Sequence, residues 1–379
     1  MELNTEELQK DVREYIISYI KWGPICSSWS AVAKKRHSSS KRFRLPLVVF
    51  FNAYKENSTR FFSLSTQNIY RNLNFPELRG CHICGSSHGW LVTVDINLQI
   101  CLFDPFSQSQ IKLPSLPLSD DDRHDLSLRY VNSDLQSTET SEEELRDRLV
   151  IKAILTADPR KSSDYMVVSS YGQWEIGIWR SGDASWSPLD GRYSQAAADF
   201  ILHKEKLYVL INSGHLLSFD LVGPYPKFIT IYDFMDLLRY PKYLVDVKGE
   251  LLIVERDVPY GDDHSQMTTS FRISKFEPET GQIRKLNSIG DNILFLGMSY
   301  SMALESDEPS GYEKDNIYFT DDNYPGLQWN GFKDMGIFNI KDGTFKPFLP
   351  NDVYNPAKSP QIWLEAHKWL PNPGDDNCS

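Results

Sequence analysis

From residue 43 onward, apolar residues come in short runs of Val, Ile, Leu, Phe and Tyr, separated by Gly, Asn, Asp, Pro and Ser. Runs of this length bounded by turn formers predict β-strands joined by tight turns. The runs fall into similar sets: residues 89–94, 100–104 and 111–114; then 206–210, 216–220 and 228–231; then 249–254, 271–277 and 283–286; then 316–320, 335–339 and 345–348. A weaker fifth set runs 165–168, 176–179 and 186–189, and a sixth begins at 60–64, where the neighbouring residues match poorly. Each set reads as strand, turn, strand ending in an aromatic and a polar residue, turn, short strand. The aromatic markers are Phe62, Phe103, Trp179, Phe219, Phe276 and Phe338, spaced by 41, 76, 40, 57 and 62 residues. The long interval holds an insertion at about 119–147 that carries two acidic runs.

A β-repeat of about 40–50 residues is the signature of a propeller blade. One such blade exposes two apolar faces, and stacking blades in a ring covers both while leaving only short edges. The expected fold is therefore mainly β: a β-propeller of six blades, with seven as the alternative count. A pair of two-sheet sandwiches is the competing architecture, and it would not need the repeat.

The first 36 residues have a different texture. Leu8, Val12, Ile16 and Ile20 recur four apart and build one helical stripe. Asn4 caps its start, with Glu7 three residues on. Gly23-Pro24 ends this helix and opens another, whose stripe is Ile25, Trp29, Val32 and Ala33. Lys34, Lys35 and Arg36 close it at the negative end of the helix dipole. The expected division is a helical segment at 1–36, a polar linker at 37–42 and the propeller at 43–379.

Composition narrows the function. Acidic residues outnumber basic ones, 51 to 40, for a net charge of −11. That sign argues against nucleic acid or an anionic membrane as partner. Five cysteines in 379 residues are too few and too odd for a disulfide scaffold, which points to a reducing compartment, cytoplasmic or nuclear or both. The acidic start, Met1 to Glu7, has no targeting character. The longest apolar stretch, 45–51, falls far short of the ~20 residues that span a bilayer.

Individual motifs offer little chemistry. Cys81-His82-Ile83-Cys84 has zinc-like spacing, yet no second ligand pair follows, and a buried or half-buried thiol pair is the reading; alternation also buries Cys101. His88 is read as a turn histidine, because no nucleophile motif accompanies it. The acidic runs Asp120-Asp121-Asp122 with His124 and Asp125, and Asp262-Asp263-His264, lack calcium-loop spacing and read as solvated loops. Glu139 and Glu142 to Glu144, beside Arg146 and Arg148, read as a solvated run forming one short helical turn. No metal, cofactor or catalytic residue is assigned.

Two sequence blocks then suggest a family. Residues 25–33, Ile-Cys-Ser-Ser-Trp-Ser-Ala-Val-Ala, resemble the end of a plant F-box. Pro76 to Gly80, Gly85 to Leu91, Asp104 to Ser107, Ile111 to Pro114, Phe295 to Gly297 and Ile317 to Asp322 are similar to plant F-box proteins with a KIB-type β-propeller. The resemblance covers nearly the whole chain. It implies that the F-box docks on a Skp-type adaptor of a cullin ubiquitin ligase while the propeller holds a target protein. This F-box is shorter than the family's, with no Leu-Pro pair before residue 45.

A non-enzymatic interaction protein is thus expected. Ile16, Ile20, Ile25 and Trp29 are the candidate adaptor-binding residues, and Trp174, Tyr260, Tyr324 and Trp329, all in loop-like segments, are the candidate target-binding residues. The rivals are a propeller scaffold without a ligase role and a propeller hydrolase, for which Asp246, Asp321 and Asp322 are the carboxylates to inspect.

Overall fold

The architecture comes from a computed structural model of the chain. The structure describes residues 46–51, 59–64, 68–73, 75–105, 107–117, 142–172, 175–189, 197–223, 226–233, 242–258, 267–306, 312–320, 334–347 and 361–364. The helical segment and linker expected at 1–42 lie outside them.

Among the described residues, twenty-five strands form six sheets. Sheet I holds β1 (Leu47–Phe51), β2 (Thr59–Ser63), β3 (Asn68–Leu73) and, on its inner edge, the last strand, β25 (Gln361–Leu364). Sheet II runs outward through β4 (His82–Ser87), β5 (Trp90–Val94), β6 (Ile100–Asp104) and β7 (Ser109–Lys112). Sheet III comprises β8 (Ala153–Leu155), β9 (Met166–Tyr171), β10 (Glu175–Arg180) and β11 (Ser187–Pro188). Sheet IV comprises β12 (Ala197–His203), β13 (Lys206–Ile211), β14 (His215–Asp220) and β15 (Lys227–Asp233). Sheet V comprises β16 (Lys242–Val247), β17 (Glu250–Asp257), β18 (Ser270–Glu277) and β19 (Gln282–Leu286). Sheet VI has five strands: β20 (Asn292–Leu296), β21 (Met302–Glu305), β22 (Asn316–Phe319), β23 (Gly336–Asn339) and β24 (Phe345–Lys346). Among the described helices is α1 (Glu142–Leu149), between sheets II and III.

The sheets contact one another in cyclic order. The inner strand β25 packs on β4, β4 on β8, β12 on β16, and β16 on β21. Apolar layers fill the spaces between sheets: Val92 and Trp90 against Val167 and Tyr171, Ile154 and Val168 against Phe200 and Val209, Tyr208 and Leu210 against Leu244 and Ile253. Val245 and Val254 pack against Leu294 and Ile317, and Phe295 and Tyr318 against Val48, Phe62 and Trp363. The ring therefore closes from sheet VI back to sheet I.

Sheets covered on both faces need apolar residues at consecutive positions, not alternate ones. That is the pattern of the middle strands: every residue of β5 and β6 is buried, as are five of the six in β13. Outer strands lose cover, and β7 and β19 are mostly exposed or half-buried.

All six aromatic markers are buried, each on the strand one step inside the outermost of its sheet: Phe62 on β2, Phe103 on β6, Trp179 on β10, Phe219 on β14, Phe276 on β18 and Phe338 on β23. The polar residue after the marker organises the next turn. Asp104 Oδ1 accepts from Ser107 N at 3.3 Å, Asp220 Oδ1 from Val222 N at 2.8 Å, and Asn339 Oδ1 from Lys341 N at 3.0 Å. Short side chains bonding to backbone two or three residues on are the usual means of fixing such turns. The sixth repeat matched poorly because it is split: its inner strand, β25, comes from the other end of the chain.

Sheet VI departs from a simple meander. β20 pairs antiparallel with β21 on its inner side and parallel with β22 on its outer side, so the chain folds inward and returns.

Two close fits hold the ring. Trp363 on β25 is fully buried, donates from Nε1 to Leu296 O at 2.8 Å and meets Phe295 edge-on at 5.1 Å. A Cβ on Gly85 of β4 would fall inside the carbonyl of Ala153, so only glycine permits sheets II and III to approach this closely. We expect Trp363→Ala to destabilise the ring by about 3–5 kcal/mol and Gly85→Ala by about 1–3 kcal/mol. Urea midpoints by circular dichroism test both, and wild-type midpoints would refute the assignment.

Candidate functional site

The antiparallel order gives the ring two unlike faces. On one face, inner strands turn into second strands, in sheets II, IV and V through two-residue turns. His88-Gly89, Lys204-Glu205 and Lys248-Gly249 have φ of 52 and 76°, 48 and 64°, and 54 and 83°. Paired positive φ values are the type I′ geometry that matches strand twist. The opposite face carries the connections between sheets and those from second to third strands. It holds the longest ones, including 258–269, 320–335 and the 113–152 insertion that ends in α1. We call these the turn face and the loop face.

A buried arginine organises the loop face between sheets V and VI. Arg256, 2% exposed, lies near the end of β17 with its guanidinium 4.8 Å from the Phe319 ring. Its Nε donates to Thr268 Oγ1 at 2.7 Å. Nη1 donates to Tyr243 Oη at 3.1 Å and Thr320 O at 2.9 Å. Nη2 donates to Asp334 O at 2.7 Å and Asp334 Oδ2 at 2.8 Å. A guanidinium has five N–H donors, and all five are used. Thr268 N also donates to Asp334 Oδ1 and Oδ2, both at 3.0 Å. A charge this deep is tolerated because every donor is paired.

A second buried cluster joins three inner strands on the same face. Lys152 Nζ, just before β8, pairs with Asp199 on β12. Asp199 Oδ2 accepts from Leu244 N of β16 at 2.7 Å, so one carboxylate bridges sheets III, IV and V. Burial pushes the Asp199 carboxyl up, while Lys152 and the backbone donors pull it down. Further along the loop face, Arg146 of α1 is 1% exposed and donates to Gly80 O and to Asp147. Glu142 and Glu143 are exposed, as expected of a solvated run, but Arg146 beside them turns inside, where Nη1 donates to the Gly80 carbonyl.

The turn face holds a latch between sheets II and III. Asp158 accepts from Trp90 Nε1 at 3.1 Å and from Arg160 Nε and Nη2, both at 2.9 Å. Arg160 also reaches Asp104 Oδ2 at 3.0 Å and the carbonyl of His88 at 2.8 Å. Burial alone would raise the Asp158 carboxyl, but the bonds from Arg160 and Trp90 overcome it and hold the group well below the carboxylate range. His88 is an exposed turn residue, as its sequence context indicated.

Asp246, a carboxylate considered for hydrolysis, binds His203 Nδ1 at 2.6 Å and Gly249 N at 2.7 Å. Burial raises its carboxyl, and those bonds more than offset this, leaving it below the ordinary value. The His203 side chain is 1% exposed, so the dyad ties sheet IV to sheet V and its imidazole faces no substrate. Cys81 donates to Glu77 O at 3.5 Å and Cys84 to Val92 O at 3.5 Å. Burial pushes their thiols up to about 11 and about 12, which favours the protonated form over a metal-binding thiolate. Cys101 is buried. Among the described residues no group of three His, Cys, Asp or Glu side chains is placed to hold a metal ion.

Every residue named for partner binding lies outside the described residues: Ile16, Ile20, Ile25 and Trp29, and Trp174, Tyr260, Tyr324 and Trp329. So do Asp321, Asp322 and the runs at 120–125 and 262–264. Trp174, Tyr260, Tyr324 and Trp329 nonetheless share one topological feature: they fall in the β9–β10, β17–β18 and β22–β23 connections, whose flanking strand ends meet the loop face. The sequence reading missed Lys152, Asp199, Arg256 and Asp334. The only available signal was a charged residue inside or beside an apolar run, as in Leu251 to Arg256.

The ring of sheets defines the chain as a β-propeller protein. Residues 61–339 match the KIB1-4 beta-propeller family, and the chain belongs to it. Its relatives are plant F-box proteins. "Putative F-box protein At5g38270" of Arabidopsis thaliana is 22% identical over 356 residues, covering 87% of this chain and 85% of that protein. "F-box protein KIB3" of the same plant is 24% identical over 317 residues, covering 79% of this chain and 66% of that one. A solved β-propeller domain, Myceliophteria_thermophila Cps50 (Swd1), aligns over 82% of this chain and 87% of its own at 10% identity and a TM-score of 0.41.

The Asp158 latch has a pH signature. A carboxyl whose folded value is depressed adds stability above its unfolded value, near 3.9, and loses it as pH falls through the folded value. Asp158→Asn should therefore unfold more easily than wild type at neutral pH. The gap should narrow between about pH 5 and pH 2. Urea midpoints across that range test this; a constant gap would show that the carboxylate's charge is not what holds the latch.

Proposed function

We propose that this chain is a non-enzymatic recognition subunit of a Skp-cullin-F-box ubiquitin ligase. Residues 1–36 serve as a shortened F-box that engages a Skp-type adaptor through Ile16, Ile20, Ile25 and Trp29. Residues 37–42 link it to the propeller of 43–379, whose sheets we count as six blades. The loop face holds the target protein, with Trp174, Tyr260, Tyr324 and Trp329 as its anchors, and the work is done in the cytoplasm, the nucleus or both.

One observation carries this reading: the chain joins the ring on the face opposite its long loops. Leu47, the first residue of β1, pairs with Ser63 and Leu364, at the end of sheet I where β2 turns into β3. That is the turn face. A helical segment attached there leaves the loop face clear, so adaptor and target need not compete for space. Loops gathered at one end of a rigid scaffold are the usual seat of specificity, and aromatic side chains are the usual anchors. The plant relatives, which are named F-box proteins, support the ligase half of the proposal.

Co-purification with a Skp-type adaptor tests it. Full-length protein should retain the adaptor, and Ile16→Asp with Trp29→Ala should lose it while the propeller stays folded. Retention by a complete F-box control, without retention by this chain, would leave a propeller scaffold with no ligase role. Substituting Trp174, Tyr260, Tyr324 and Trp329 by Ala should leave adaptor capture intact and abolish proximity labelling of the target; unchanged labelling would move the target away from the loop face.

A further inference from the structure

We infer that Arg256 is a positioning residue that locks Thr268, at the closing end of the 258–269 connection, to Thr320 and Asp334, the two ends of the 320–335 connection, as a single mechanical unit. Its partners come from four separate stretches of chain: Tyr243 on β16, Thr268 before β18, Thr320 after β22 and Asp334 before β23. Thr320 and Asp334 are the described residues at either end of the longer connection, and Thr268 is near the return of the other. One guanidinium thus pins both ends of one connection to the closing end of its neighbour on the next sheet.

The donors leave no slack. All five N–H groups are engaged, and the plane is fixed by the Phe319 ring 4.8 Å away. Thr268 Oγ1 and N both bond Asp334 directly, Oγ1 at 2.7 Å. Moving Thr268 or Asp334 alone would strand a buried charge or a buried carboxylate, and such groups are costly to leave unpaired. The ends of the two connections therefore have one shared low-energy arrangement. Lysine cannot replace the fork, because an ammonium offers three donors from a point and no plane to stack.

This coupling rests on the geometry alone. Its consequence, that a target gripped by one connection is felt by the other, rests on the loop-face reading above. The two are scored by different measurements.

Hydrogen exchange on the full chain tests the coupling. In Arg256→Lys, amides at Thr268–Ser270 and at Thr320 and Asp334–Gly336 should exchange faster together. The expected factor is about tenfold or more, the effect of losing a charge-assisted hydrogen bond. Amides of β5 and β9, in sheets II and III, should keep wild-type protection. Asp334→Asn keeps the shape and removes the charge, and it should accelerate the Thr268 side as well; it also serves if Arg256→Lys does not fold. Acceleration on one side only, wild-type rates throughout, or an equal rise in all six sheets would overturn the inference. Target labelling by the same variants is read separately, so an absent target effect with coupled exchange would count against the loop-face reading and not against the coupling.

Discussion

The fold depends on covering both faces of every sheet. Four short strands cannot bury two apolar faces by themselves, and each sheet here lends one face to each neighbour. Only a closed circuit satisfies that condition for all of them, since an open row would leave two sheets half-bare. Buried area on this scale dominates any single bond. The buried and half-buried ion pairs then act mainly on geometry: Lys152 with Asp199, Arg256 with Asp334, and Arg160 with Asp104 each sit at a junction between sheets and set how neighbours align.

Sequence patterns were legible where they reflected this double burial. Strands β5, β6, β13 and β17 read as continuous apolar runs, and the marker aromatics proved to occupy one equivalent strand in every sheet, from Phe62 to Phe338. The turns were legible through Asp104, Asp220 and Asn339, whose side chains perform the turn chemistry their types suggest. The inner strands were harder to see. His82 and Ser86 interrupt β4, Asp199 and His203 interrupt β12, and Lys242 and Asp246 interrupt β16. Asp199, His203 and Asp246 are tolerated there for a tertiary reason, an inter-sheet bond, that no local period records. The return of β25 to sheet I was hidden for a related cause: strand pairing between chain ends leaves no mark on nearby residues.

The candidate site divides along the same line. The aromatic loop residues could be picked out by type and context, because they sit between strand runs. The groups that hold those loops could not. Arg256 looks like the charged end of a strand until its four partner residues, up to 78 positions away in sequence, are assembled around it. Asp246 shows the reverse: a carboxylate that invites chemistry by position is taken up by His203 and a turn amide.

The clasp in sheet I bears on how the protein is made. Because the innermost strand of that sheet is the last of the described strands to be synthesised, the nascent chain must carry an unfinished circle until residues 361–364 emerge. Until β25 arrives, the walls of sheets VI and II that Trp363 and its neighbours later cover stay open to water. Long-range pairings of this kind form late and leave sticky intermediates. A ribosome that stops short of residue 361 would release a product with exposed apolar walls, recognisable to chaperones and proteases.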